Sequence, residues 1–110
     1  MTGIKLFYRR KILVGIESKG HSGYSEAGSD IICASVSSLM QALLLGLVQI
    51  AGLENYIDYF ADGNVPIMRM TWPEKIVDEK ISLLTKTICE SLKIIGAGNP
   101  EYIKVMEVDL

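Results

Sequence analysis

The chain has 110 residues, 49% of them hydrophobic, and a mean hydropathy of +0.29. That is enough for one domain and too apolar for disorder, yet so short a chain leaves apolar surface uncovered unless a partner takes it. Lys and Arg number 11 against 13 Asp and Glu, for a net charge of −2 and a pI of about 5.3, so the basic excess of a nucleic-acid binder is missing.

In chain order, Ile4 to Tyr8 and Ile12 to Ser18 predict two strands, with a period of two as in Ile12, Val14 and Ile16. Arg9-Arg10-Lys11 between them is the one dense basic spot and reads as a solvated hairpin turn. Lys19 to Ser29 contains Gly20, Gly23 and Gly28 and predicts a loop. A helix is expected to start with Ser29 or Asp30 as its N-cap, because a side-chain oxygen there takes an otherwise orphaned backbone N–H. Ile32, Val36, Leu39, Leu43, Leu47 and Ile50 follow at helical spacing, and Gly52 is placed to close the helix.

Ile31 to Leu53 carries no charge. It is interrupted by Ser35, Ser37, Ser38, Gln41 and Gln49, and its longest apolar run, Ala42 to Val48, falls well short of the ~18 residues of a spanning helix. It therefore predicts a buried helix rather than a membrane span, with a sheet on one side and a second copy of the chain on the other. Tyr56 to Phe60 and Val65 to Met70 flank Ala61-Asp62-Gly63-Asn64 as a second hairpin. Pro73 suits the first turn of a second helix, whose stripe is Val77, Ile81, Leu84, Ile88 and Leu92 and whose end lies at Gly96 to Pro100. Tyr102 to Val108 is a last strand. The order is ββαββαβ, an α+β class chain in which residues 1–110 form a single small domain, the sheet packed with two helices. Two cysteines are too few for a disulfide framework and no signal peptide is visible, so a cytoplasmic protein with reduced thiols is expected.

The stretch Gly20 to Leu39 holds the only histidine, His21, twelve positions before Cys33. With Asp30 as N-cap, Cys33 is the third helical residue. The positive field of the helix end then favours its thiolate, the nucleophilic form, and free N–H groups in that turn can hold an oxyanion. His21 can take the thiol proton and return it to a leaving amine. The plainer readings stay open: Cys33 as a small core residue, and His21 as a polar loop residue. One His and two distant Cys fall short of a metal set, and no phosphate-loop pattern is present, so no metal or cofactor is expected. Cys89 sits among Ile88 and Leu92 and reads as structural.

The run resembles the signature of the bacterial ribosomal-processing cysteine proteases, the Prp (YsxB-like) family. The matching residues are Gly20, His21, Gly23 and Tyr24, then Gly28, Asp30, Cys33, Ala34, Ser37 and Leu39. Ser22, Ser25 and Ser35 stand where alanine is commoner, and Asn99 stands where an aromatic precedes the proline. The resemblance implies a homodimeric cysteine endopeptidase with Cys33 as nucleophile and His21 as general base. Its implied substrate is a partner protein, large-subunit ribosomal protein number twenty-seven, whose short N-terminal extension is removed by a cut after an aromatic residue. Asp30 is then a cap or an orienter of His21, and Ser37, one turn after Cys33, packs beside the site or supports it. Gly20 belongs to the same motif. A second reading from the residues alone is a non-catalytic, dimeric ribosome-assembly protein. A third, a redox-sensing thiol, lacks any resolving cysteine nearer than Cys89.

Overall fold

The structure, a computed structural model, describes residues 1–20, 27–62 and 66–110, with residues 27–30 described by backbone alone. Its elements are β1 (Thr2–Arg9), β2 (Ile12–Lys19), α1 (Ala27–Leu45), β3 (Asp58–Asp62), β4 (Ile67–Thr71), α2 (Glu79–Gly98) and β5 (Ile103–Asp109). This is the expected ββαββαβ order, and the strands form one sheet in the order β3-β4-β2-β1-β5. β1 pairs parallel with β5 and antiparallel with β2, and β4 is antiparallel to both β2 and β3. The domain is thus α+β, a mixed five-stranded sheet with both helices packed on one face.

The first hairpin turns at Arg10 and Lys11, whose φ values of 53° and 67° are the positive pair that a two-residue turn matched to strand twist requires. Alternation along β1 sends Thr2, Ile4 and Leu6 toward the helices. Ile4, Leu6 and Ile16 from the sheet meet Val36, Met40, Leu43 and Leu47 of the first helical segment and Leu92 of α2, all nearly or fully buried. The other face of the sheet carries a cross-strand row, Phe60–Arg69–Glu17–Lys5, set by the register of four strands. Glu17 is buried there between Arg69 at 3.3 Å and Lys5 at 3.9 Å, and the Arg69 guanidinium lies 5.5 Å from the centre of the Phe60 ring. The row ties the β3–β4 hairpin to β1 and β2.

Both helix starts differ from the sequence expectation. α1 begins at Ala27, so Ser29 and Asp30 are its third and fourth residues rather than its cap. Alanine is the best helix former, and the long apolar face that follows outweighs the local cost of Gly28. Pro73 does not open α2. It leads a short 3₁₀ turn at Glu74–Ile76, the chain is extended again at Val77, and Asp78 caps α2 by accepting the Ile81 N–H at 2.9 Å. After α1 the helix widens into a π turn, Gly46–Ile50, and stops before Gly52 at φ 70°. A Cβ on Gly46 would lie 2.8 Å from Leu84, so glycine is what lets this turn sit against α2. By length and composition Ile31–Ile50 would suffice to cross a membrane. Four of its residues, spaced by three or four, instead form the centre of the core.

Candidate functional site

Cys33 is half-buried on α1, with its thiol free. It lines a cavity of about 390 Å³ between the first turns of α1 and one end of the sheet. Each wall comes from a different element: Thr2 from β1, Ser18 and Gly20 from the end of β2, Val36, Ser37 and Met40 from α1, Ala61 and Asp62 from β3, and Ile67 and Met68 from β4. The register explains the convergence. Ser18 pairs with both Ile4 and Met68, and Met68 pairs with Ala61, so these residues share the sheet face under Cys33.

Of the residues expected from sequence, the structure brings Cys33, Ser37 and Gly20 to one cavity. The Ser37 hydroxyl accepts a hydrogen bond from the Gln41 amide at 3.0 Å. Gly20 closes β2 and its N–H donates to the Pro66 carbonyl at 2.8 Å, joining the end of β2 to the start of β4. Its φ of 95° and the 2.7 Å that would separate a Cβ from the Met1 carbonyl oxygen both demand glycine. His21 follows it in sequence but lies outside the described residues, as does the Asp30 side chain. Among the described residues no cluster of His, Cys, Asp or Glu fit to hold a metal is found.

One expectation changes. Cys33 is the seventh residue of α1, not the third. The field of a helix end fades within the first turn, so it does not reach this thiol. The contribution of the β3–β4 hairpin was not anticipated, since no motif in the sequence announces that its end lies beside Cys33.

A half-buried thiol in a cleft between a helix and the end of a mixed sheet defines a small α+β domain with a candidate cysteine nucleophile. The chain belongs to the cysteine protease Prp family, whose model matches residues 1–104. It is therefore a member of the ribosomal-processing cysteine proteases, a class of cysteine-type hydrolases. It is 26% identical over 98 residues, 86% of each chain, to the ribosomal processing cysteine protease Prp of Bacillus subtilis (strain 168). Its fold is similar to that of a Streptococcus mutans crystal structure, with a TM-score of 0.85 at 25% identity, covering 100% of this chain and 96% of the other. It is also similar to the S. aureus Prp protease solved with a covalently linked product peptide, with a TM-score of 0.81 at 20% identity, covering 98% of this chain and 100% of that one.

Proposed function

We propose that the protein is a cytoplasmic, homodimeric cysteine endopeptidase with a Cys33–His21 dyad. It removes the N-terminal extension of large-subunit ribosomal protein number twenty-seven by cutting after an aromatic residue. The observation that carries this reading is the placing of Cys33, the family's candidate nucleophile, in a cavity of about 390 Å³ walled by Val36, Met40, Ile67 and Met68. Such a wall suits an aromatic side chain, and the thiol beside it suits attack on the following carbonyl.

The chemistry divides among few groups. His21 takes the Cys33 proton, and the thiolate sulfur bonds to the scissile carbonyl carbon. The amine leaves with the proton from the imidazolium, and water then cleaves the thioester and restores the thiol. Because the helix end is nearly two turns away, activation falls to the histidine. Ser37 and Gly20 support the site, the first as a polar group on its wall and the second by setting the backbone that leads to His21.

The test incubates the purified protein with a peptide spanning the N-terminal extension and first mature residues of that ribosomal protein, with mass spectrometry of the products. Wild type is expected to give one pair of products, cut after an aromatic residue, and Cys33→Ser none. In single turnover His21→Ala is expected to be slower by about 10²–10⁴-fold with peptide binding retained. No cleavage by wild type would overturn the protease reading in favour of an assembly protein, and cleavage by Cys33→Ser at the wild-type rate would remove Cys33 as the nucleophile.

A further inference from the structure

The sheet ends on one side at β3, and that end is unlike the other. β3 pairs with β4 along one edge, residue for residue from Asp58↔Thr71 to Asp62↔Ile67, with no bulge. Among the described residues nothing pairs with its outer edge. Asp58, Tyr59, Phe60 and Ala61 are all exposed. Strand edges are normally blunted by lysine, proline, a bulge or a covering element. β3 has none of the first three, and carries carboxylates only at its two ends. β5, the opposite edge, carries Lys104 at an exposed position and is crossed by the Lys93–Glu107 ion pair at 3.2 Å.

The open edge also leads into the Cys33 cavity. Ala61 and Asp62 belong to both. Alternation puts Tyr59 and Ala61 on the cavity face, beside Met70 and Met68, and puts Phe60 on the other face against Arg69. Ala61 is the smallest side chain on the strand, and it stands where a residue paired to the edge would pass its own side chain into the cavity. Tyr59, two positions back, offers a ring to the next side chain on that face.

We infer that the substrate binds as an added strand on the outer edge of β3, its backbone hydrogen-bonded to Asp58–Asp62, which delivers one side chain past Ala61 into the cavity and the following carbonyl to Cys33. This rests on the endopeptidase reading and extends it to the binding mode. Five strand residues span about 17 Å at 3.4 Å per residue, so the edge engages roughly five residues of an extended peptide. In such pairing, alternate peptide N–H groups point to the edge and the intervening ones to solvent.

The experiment uses the wild-type chain and the same ribosomal-protein peptide, methylated at one backbone nitrogen at a time. Alternate positions are expected to lose about tenfold or more in kcat/KM, the effect of one lost backbone hydrogen bond, while those between stay near the parent value. In parallel, amide exchange is followed in Cys33→Ala, which binds without cutting. The amides of 58–62 that do not bond to β4 are expected to slow when peptide is added, and Ala61→Leu to weaken peptide binding. Failure of wild type to cut the unmodified peptide would overturn the protease reading and this one with it. Cleavage without a two-residue period would overturn the edge pairing alone. Slow exchange without peptide at the amides of 58–62 that do not bond to β4 would assign the edge to a second copy of the chain and overturn the inference as well.

Discussion

The two cysteines of the chain differ in exposure and surroundings. Cys33 opens onto a cavity, whereas Cys89 is 3% exposed, inside α2, with its sulfur 3.9 Å from the Tyr8 hydroxyl. Burial pushes the Cys89 thiol pKa up, against smaller opposing effects of the Tyr8 hydrogen bond and Lys93. Burial likewise pushes the Tyr8 phenol up to about 12, with Cys89 adding to it. A limiting alkylating reagent at neutral pH is therefore expected to label Cys33 first. Peptide mapping after digestion checks it, and preferential labelling of Cys89 would be the contrary result. The contrast was legible in sequence, but partly for the wrong reason. The pattern Ser29-Asp30 before an apolar run imitates an N-cap and would put Cys33 in the helix-end field, while the chain starts its helix three or four residues earlier. What distinguishes Cys33 is the cavity, which depends on residues up to 35 positions away in sequence, such as Met68.

At the scale of elements, the strands and helices with clean periodicity read well and their ends did not. β1 and β2 form where expected around a short basic turn, but β2 does not keep the alternation, since Leu13 to Glu17 are all buried and the register shifts opposite Phe7 and Tyr8. Arg10 and Lys11 adopt positive φ without a glycine to announce it. α2 carries its apolar stripe as expected, but its start could not be seen, because Pro73 marks a 3₁₀ turn and the true cap is Asp78. That cap gives a clean stability test. Asp78→Ala removes the acceptor for the Ile81 N–H at the exposed end of α2, and Asp78 does not line the Cys33 cavity. The expected cost is about 1 kcal/mol, a fall in Tm of roughly 4 °C, with cleavage unchanged at temperatures below the transition. Thermal unfolding by circular dichroism measures it. An unchanged Tm would mean that tertiary contacts alone hold the first turn of α2.

At the scale of the whole molecule, the sheet order is what sequence withheld and what the site depends on. β2 pairs with β4 across about fifty residues, for example Glu17 with Arg69, and neither strand carries a mark of that choice. Once made, the pairing brings the β3–β4 hairpin to Cys33. The uncharged helix, by contrast, was legible in advance, and only its inner face is accounted for by the core. Its outer face presents Ile31, Ala34, Ser38, Ala42, Leu45, Gln49 and Ile50, with Ile31 67% and Ile50 80% exposed. A strip of apolar and small residues of this length on a small domain is what a symmetric helix–helix contact requires. It is the surface on which the proposed homodimer rests. Sedimentation equilibrium at micromolar concentration is expected to give the mass of two chains. Ala42→Glu sets a charge in the middle of the strip, on an exposed position that the core does not use, and is expected to give the mass of one chain with an unchanged circular dichroism spectrum. A monomer mass for wild type would leave the strip without this partner. A dimer that survives Ala42→Glu would move the contact elsewhere, to the open sheet face around Phe60, Arg69 and Lys5 or to the β3 edge itself.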